Sequence, residues 1–333
     1  MVQTCQLMSE FQPFNELTPD LVLTAVESTG LCCDGRMLAL NSYENRVYQV
    51  GVEAAEPVVV KFYRPNRWTR EQIQEEHDFL DELVAAELPV VAPVRNESGQ
   101  SIHLCPPYLF TVFPRRGGRL PELDFDTLHA VGRTLGKLHS VGGLRPFAHR
   151  PALTISHFGV ASCHFLLEHD FIPVELHKAY ETLTSDLLDR VEDIVEDYSH
   201  VKQLRLHGDC HPGNILWRDG PLLVDFDDCQ TGPAIQDLWM LLSGERDQQQ
   251  GQLAELIDGY ATFNDFNPAE LALVESLRTL RVMHYAAWLA RRWDDPAFPR
   301  SFPWFNTARY WSAHILELRE QLAALDEPPL KLF

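Results

Sequence analysis

The sequence of 333 residues has no uninterrupted apolar run that approaches the ~20 residues a transmembrane helix needs. It also has little positive charge, because 28 Lys and Arg stand against 48 Asp and Glu, and the formal net charge is −20. Nucleic acids and anionic membranes are themselves negatively charged, so this balance argues against both as partners. We expect a globular protein with no nucleic-acid partner and no membrane association.

Several easily recognised site motifs are missing. The chain has no Gly-x-Ser-x-Gly, no His-Glu-x-x-His and no Cys-x-x-Cys, which argues against common hydrolase, zincin and zinc-ribbon sites. The seven cysteines are odd in number, Cys32 and Cys33 are adjacent, and no secretory signal precedes them. We therefore expect free thiols in a reducing compartment, and hence a cytoplasmic location.

The most informative segment is LHGDCHPGNILW followed by LLVDFDD, from Leu206 to Asp228. Moving a γ-phosphoryl group to a hydroxyl needs a carboxylate that orients and deprotonates the acceptor, and oxygen ligands that hold Mg²⁺ on the phosphates. Asp209 suits the first role, and Asn214 with Asp225 suits the second. Asp209 and Asn214 also keep the Asp-x-x-x-x-Asn spacing of the protein-kinase catalytic loop. The segment predicts an ATP-dependent phosphotransfer site in which Asp209 and Asp225 are catalytic.

The sequence between these polar residues predicts a β-hairpin. The apolar runs 215–217 and 222–224 flank an Asp-Gly turn signal at Asp219 and Gly220. A hairpin at this position would bring Asn214 and Asp225 side by side.

Gly-Asp-x-His-x-x-Asn with a downstream Asp-x-Asp resembles the aminoglycoside phosphotransferase and choline kinase branch of the kinase-like fold. Within that branch, four strings resemble the stress-response family of bacterial serine/threonine protein kinases, and the likeness runs from about Leu40 to Trp304. The strings are LNSYENRVYQV, VVKFYRP, LHGDCHPGNILWRDGP and GPAIQDLWMLL.

This resemblance implies an α+β, bilobal protein-kinase-like fold. It has a small mixed-sheet N-lobe over residues 1–112 and a larger, mainly helical C-lobe over 113–333. It also implies the cofactors ATP and Mg²⁺, and protein substrates that offer Ser or Thr. Autophosphorylation, a stress-response role and a monomer are further expectations.

A kinase site also needs a lysine on a strand and an acidic partner. Lys61 follows a Val-Val-Val run and is our candidate for the phosphate contact, although an ordinary solvent-facing strand lysine is the alternative. Helical spacing over Thr69–Val84 places Glu76 on the apolar face and Glu75 nearly opposite, toward water. We predict that Glu76 pairs with Lys61, the alternative being a glutamate at the rim of the apolar stripe.

The loop expected to cover the phosphates, Leu40–Arg46, contains no glycine. Ser42 and Asn45 could supply side-chain hydrogen bonds instead, and the resemblance places Ser42 at the phosphates. An ordinary Asn/Ser turn is the alternative.

Other patterns predict the surrounding elements. Strands are expected near Val47, Val60, Val90–Val94 and Tyr108–Val112. Helices are expected over Asp126–Ser140, Glu181–Ser199 and Asn267–Trp293 and after Gly232-Pro233. His139 is expected to be a packed core histidine. By resemblance Asp237 braces the catalytic loop, and a simple carboxylate at a helix N-terminus is the alternative.

Two other functions remain open. The catalytic residues alone do not distinguish a protein hydroxyl from that of a small molecule such as an aminoglycoside, choline or homoserine. A nucleotide-binding scaffold without turnover is the third hypothesis, and the presence of Asp209, Asn214 and Asp225 together argues against it.

Overall fold

The computed structural model describes residues 13–332, so the ends of the predicted lobes, residues 1–12 and Phe333, lie outside the described residues. The chain divides into two compact units. The first comprises Val94–Arg115, Arg292–Pro303 and the described part of Met1–Thr69. The second comprises Arg70–Pro93, Arg116–Arg291 and the described part of Trp304–Phe333. The lobe division at residues 112 and 113 stays a prediction.

The helices and strands of the described part of the chain are numbered in chain order. The helices are α1 Pro19–Glu27, α2 Arg70–Ala85, α3 Phe125–Gly142, α4 Ala161–Glu168, α5 Val174–Asp197, α6 Ile235–Trp239, α7 Arg246–Tyr260, α8 Val274–Ala290, α9 Ala297–Ser301 and α10 Ala308–Ala324. The strands are β1 Cys33–Leu40, β2 Arg46–Val52, β3 Val58–Phe62, β4 His103–Cys105, β5 Tyr108–Pro114, β6 Leu204–Leu206, β7 Ile215–Trp217, β8 Pro221–Leu223 and β9 Gln230–Gly232.

The first unit is built on a five-stranded sheet in the order β1-β2-β3-β5-β4. The second unit is mainly helical, so the predicted α+β class is confirmed. Every pairing in the five-stranded sheet is antiparallel, and the expectation of a mixed sheet is therefore wrong in this detail. Short connections join β1 to β2, β2 to β3 and β4 to β5, and such connections favour antiparallel neighbours.

Helix α1, which the sequence analysis did not predict, packs on this sheet. Thr18 caps it by accepting a hydrogen bond from the Leu21 N–H at 3.3 Å, and Pro19 occupies the first turn. Its buried Val22 and Val26 join a core with sheet residues such as Phe62. The Thr-Pro start was therefore a usable helix signal.

The expected strand at Val90–Val94 is wrong. Val90 makes one isolated parallel bridge with Leu223, and the rest of this stretch is irregular. Pro89 precedes the stretch and Pro93 lies within it, and neither offers an N–H group, so a continuous ladder cannot form there.

In the second unit, helices α3 and α7 pack at close range. A Cβ added to Gly132 or Gly136 would overlap the carbonyl oxygen of Leu256 or Tyr260 on α7. The predicted helix over Asp126–Ser140 is confirmed, and its two glycines permit the close approach of two backbones. The predicted helices over Glu181–Ser199 and after Gly232-Pro233 are also present, as α5 and α6. The stretch Asn267–Trp293 contains a 3₁₀ turn, Pro268–Leu273, followed by α8.

Candidate active site

The segment that carries Asp209 leaves β6 through a left-handed glycine. Gly208 has φ +85°, and a Cβ there would overlap the carbonyl oxygen of Asp228. An L residue is strained at this φ and would also collide with backbone. The His-Gly-Asp sequence, where protein kinases have His-Arg-Asp, therefore has a local structural cause.

Asp237 holds this loop from the N-terminal part of α6. Its two carboxylate oxygens accept the backbone N–H groups of His207 and Gly208, each at 2.8 Å. His139 Nε2 lies 3.0 Å from the same carboxylate, and its Nδ1 lies 3.1 Å from the hydroxyl of Tyr260. All of Asp237 and His139 is buried. The bracing position of Asp237 and the core position of His139 agree with the sequence analysis.

Asp209 lies between three polar partners. Its Oδ1 is 2.8 Å from Arg281 Nη1 on α8. Its Oδ2 is 3.4 Å from Asn214 Nδ2 and 3.6 Å from His211 Nε2. Burial acts to raise the pKa of Asp209, but the positive charge of Arg281, followed by His211 and His207, outweighs burial and lowers that pKa. The carboxylate is therefore ionised at neutral pH, as the predicted role of general base requires.

The predicted hairpin is present, as β7 paired with β8. The Val224 N–H donates to the Asn214 carbonyl at 3.0 Å, so Asn214 and Asp225 occupy adjoining positions at the open end of the hairpin. Asp225 has φ 60° and ψ 67°, a left-handed conformation that non-glycine residues seldom adopt. Strained backbone of this kind is concentrated at functional sites.

The donor set at this end of the hairpin fits Mg²⁺. The amide nitrogen of Asn214 donates to the Asp209 carbonyl at 2.9 Å, which leaves the amide oxygen as the group that can bind a cation. The Asp225 carboxylate supplies a second hard oxygen donor. Mg²⁺ in phosphotransfer sites commonly takes one or two carboxylate or amide ligands from the protein and the remainder from phosphates and water. Metal binding by Asn214 and Asp225 stays a prediction.

Glu76 on α2 is buried, as its position on the apolar face predicted. Its Oε2 lies 3.8 Å from Arg150 Nη1, a residue that the sequence analysis did not identify. Arg150 also donates to the backbone carbonyls of Asp227 and Cys229, which follow the predicted metal ligand Asp225. Arg150 thus connects the helix that carries Glu76 to the turn after the hairpin.

The expectation that Glu75 faces water is wrong. Its carboxylate accepts backbone N–H groups of Ala148, His149 and Arg150. Burial acts to raise the pKa of Glu75, but these three hydrogen bonds outweigh burial and lower that pKa. Helical periodicity located Glu75 correctly on the far side of α2 from Glu76, but it could not reveal the loop that covers that side.

Lys61 lies on β3 in the first unit, opposite Val47 on β2 and Thr111 on β5. It is 6% exposed, so it is not an ordinary solvent-facing strand lysine. Its ammonium lies 5.2 Å from the ring centre of Tyr63 and 5.8 Å from that of Phe113. Lys61 belongs to the first unit and Glu76 to the second, and their pairing stays a prediction.

The glycine-free loop Leu40–Arg46 is held by ion pairs within the first unit. Glu44 lies 2.9 Å from Arg64 and 2.6 Å from Arg292, and Arg64 also contacts Asp295 at 2.8 Å. Burial is the main cause that lowers the pKa of Arg292, to about 10. The segment Arg292–Pro303 therefore anchors this loop, although it lies far away in the sequence.

Asn45 contributes to the same anchoring, because its Oδ1 accepts the Arg64 N–H at 3.1 Å. Asn45 is buried and Ser42 is partly buried. The proposed contacts of Ser42 and Asn45 with nucleotide stay predictions.

Fold and site together define a kinase-type phosphotransferase. The chain belongs to the phosphotransferase enzyme family, whose sequence profile matches residues 37–274. Over 321 residues it is 46% identical to stress response kinase A of Escherichia coli K12. The aligned residues cover 96% of this chain and 97% of that protein. It is 45% identical over 320 residues to serine/threonine protein kinase RdoA of Salmonella typhimurium LT2, with the same coverage. The resemblance stated from the sequence motifs is confirmed.

Solved structures confirm the fold at lower identity. The amicoumacin kinase hAmiN, in complex with AMP-PNP, Ca²⁺ and Ami, superimposes with a TM-score of 0.71 at 18% identity, covering 94% of this chain and 95% of that one. A microcompartment-associated aminopropanol kinase gives a TM-score of 0.65 at 19% identity, covering 92% and 97%. These neighbours establish the kinase-like architecture and leave the acceptor open. Over residues 13–332, no helix has both the length and the apolar character needed to cross a membrane.

Proposed function

We propose that this protein is an ATP-dependent serine/threonine protein kinase. The observation that carries the proposal is the Asp209 site, in which an ionised carboxylate lies beside Asn214 at the end of a braced loop. The similarity of 45–46% over almost the whole length to proteins named as stress response or serine/threonine kinases supports a protein acceptor. Autophosphorylation, a stress-response role and a cytoplasmic location are parts of the same proposal.

The proposed reaction is an in-line displacement at phosphorus. The hydroxyl oxygen of a Ser or Thr forms a bond to the γ-phosphorus of ATP, and its proton passes to the carboxylate of Asp209. The bond between the γ-phosphorus and the β,γ-bridging oxygen breaks, and its electron pair leaves with ADP. The ion pair with Arg281 and the hydrogen bond from Asn214 orient the carboxylate for this proton transfer.

Nucleotide binding is assigned to the residues predicted for it from the sequence. Asn214 and Asp225 would hold Mg²⁺, which neutralises charge on the phosphates. Lys61 would contact the phosphates with Glu76 as its partner, while Ser42 and Asn45 would hold the phosphates from the loop before β2. The burial of Lys61 supports its proposed role, because a buried charge needs a partner of opposite sign.

A small-molecule hydroxyl phosphotransferase is the second candidate. The observation that favours it is the fold likeness to kinases whose names give small acceptors, amicoumacin and aminopropanol. A scaffold without turnover is the third candidate.

The test is transfer of label from γ-labelled Mg-ATP by wild type, Asp209→Asn and the matched control Asp219→Asn. Asp219 lies in the turn of the same hairpin, and its side chain is 96% exposed. Acceptors are the protein itself, a generic protein, and a pool of aminoglycosides, choline and homoserine. We expect label on protein with wild type and Asp219→Asn, and a loss of at least about 100-fold with Asp209→Asn, as is typical when a general base is removed.

Two other outcomes would each support one of the other candidate functions. Label on small molecules alone would assign the chain to the second candidate. Nucleotide binding without Asp209-dependent transfer to any acceptor would favour the scaffold.

A further inference from the structure

A cation from a distant part of the chain lies against the proposed base. Arg281, on α8, places Nη1 2.8 Å from Asp209 Oδ1, while Asn214 and His211 face the other carboxylate oxygen. An acceptor hydroxyl must come within hydrogen-bond distance of the same carboxylate to give up its proton. The hydroxyl would therefore lie within roughly 8 Å of the guanidinium, the sum of that contact, the width of the carboxylate group and one hydrogen bond.

The guanidinium of Arg281 is accessible to a ligand, because the side chain is 42% exposed. Arginine carries five N–H donors in a planar fork, and the contact with Asp209 is made through Nη1. Such a fork suits carboxylate and phosphate groups. An acidic group beside the acceptor hydroxyl could therefore bind to Arg281 while the hydroxyl reaches Asp209.

The same face of α8 continues with aromatic rings. Tyr285 and Trp288 follow Arg281 at helical spacings of four and seven residues, and their rings stack with centroids 5.8 Å apart. Tyr285 is 42% exposed. An acceptor segment laid along this face would contact the guanidinium first and then the two aromatic rings.

We propose that Arg281 selects the acceptor by charge, so that the reactive hydroxyl belongs to a segment with acidic groups beside it. The proposal rests on the function proposed above and specifies its substrate class. Cationic acceptors such as aminoglycosides and choline are disfavoured because Arg281 would repel them.

The local charge outweighs the charge of the whole chain. The net charge of −20 would disfavour an acidic partner, but exposed charges farther apart than about 8 Å are largely screened at physiological ionic strength. We estimate the interaction of Arg281 with one unit charge beside the hydroxyl at the distance given above. With an effective dielectric constant between that of a protein surface and that of water, this interaction should change kcat/KM by roughly tenfold.

The experiment compares three peptides of equal length in which one Ser is flanked by Glu, by Gln or by Lys. Enzymes are wild type, Arg281→Gln, Arg281→Glu and the control Arg278→Gln. Arg278 lies one turn earlier on α8, pairs with Glu275 at 3.0 Å and stacks on Trp239. Thermal unfolding of each variant verifies that it is folded.

Wild type and Arg278→Gln should prefer the Glu peptide over the Lys peptide in kcat/KM. Arg281→Gln should reduce the preference for the Glu peptide over the Gln peptide about tenfold, and Arg281→Glu should reverse the preference for the Glu peptide over the Lys peptide. An unchanged preference in Arg281→Gln, or a wild type that prefers the Lys peptide, would overturn the proposal.

A hydroxy acid and choline are tested in parallel as small acceptors, and the self-labelling of each variant is measured. Wild-type transfer to the peptides without a charge preference would overturn the role of Arg281 and leave the proposed function intact. Transfer to choline or the hydroxy acid with none to any peptide or protein would instead contradict the proposed function.

Discussion

Single residues at the catalytic loop show how far local sequence determines the site. Asp209, Asn214 and Asp225 lie within one short segment, so their proximity could be predicted from spacing and a turn signal. Arg150 and Arg281 could not be predicted in this way, because only the tertiary fold brings them to Glu76 and Asp209.

The conformation of the loop favours glycine over alanine at position 208. We expect Gly208→Ala to lower the free energy of unfolding by about 2–4 kcal/mol, because the left-handed φ is strained and the Cβ collides with the Asp228 carbonyl. Gly35→Ala is the matched control, since Gly35 has φ +83° and open space around the Cβ position. That control should lose about 1 kcal/mol in urea unfolding. Equal losses in the two variants would contradict the assigned collision.

The role of the Asp237 carboxylate in holding the loop can be tested with the isosteric variant Asp237→Asn. In Asp237→Asn, an amide NH₂ must replace one of the two oxygens that now accept backbone N–H groups of His207 and Gly208. We expect a loss of about 2–4 kcal/mol in stability, because a buried donor is left without its acceptor. We also expect a kcat at least about tenfold lower, since a displacement near 1 Å is costly in catalysis.

The control for this change is Asp186→Asn, at an exposed position on α5. It should change the free energy of unfolding by less than about 0.5 kcal/mol. If Asp237→Asn kept both wild-type stability and wild-type kcat, the bracing role would be wrong.

At the scale of elements, helix α2 organises its neighbours through adjacent glutamates on opposite sides. Glu76 faces Arg150, and Glu75 accepts the N–H groups of 148–150, so both sides of the helix fix the same connecting segment. The helix itself was predictable from its 3.6-residue period. The second contact was not, because no local pattern marks a carboxylate that binds a loop distant in sequence.

We expect Glu75→Gln to lower the free energy of unfolding at pH 7 by about 1–2 kcal/mol, after allowance for solvent screening of a partly exposed group. The folded-state pKa of Glu75 is depressed below its ordinary value of 4.5, so its ionic contribution is complete above that pH. That contribution should vanish as the pH falls through the lower, folded-state value. The difference between wild type and Glu75→Gln should therefore shrink in acid.

Glu71→Gln, at an exposed position in the first turn of α2, serves as the control for this series. It should show a smaller loss of stability at pH 7, of the order of 0.5 kcal/mol. A difference between wild type and Glu75→Gln that grew as the pH fell would contradict the role assigned to Glu75.

The loop before β2 shows the same limit of local prediction. Its lack of glycine was visible in the sequence, but the anchoring of Glu44 by Arg64 and Arg292 joins residues from both ends of the chain. The loop has no glycine, and ion pairs fix its conformation. A fixed conformation suits preorganised contacts to phosphates.

At the scale of the whole molecule, sequence motifs identified the family and the two-part architecture, and composition did not. The motifs did not predict three features of the fold. These are the antiparallel pairing of the sheet, helix α1 and the irregular stretch around Val90. The acceptor is decided neither by fold nor by net charge, since related folds serve different acceptors. We propose that it depends on residues such as Arg281, which contacts Asp209.

The most direct test of the central claim is single-turnover transfer from γ-labelled Mg-ATP to protein, followed by acid hydrolysis and identification of the labelled amino acid. We predict phosphoserine or phosphothreonine with wild type and Asp219→Asn, and at least about 100-fold less with Asp209→Asn. Equal labelling by wild type and Asp209→Asn, or no labelled Ser or Thr while a small hydroxyl compound is phosphorylated, would contradict the claim.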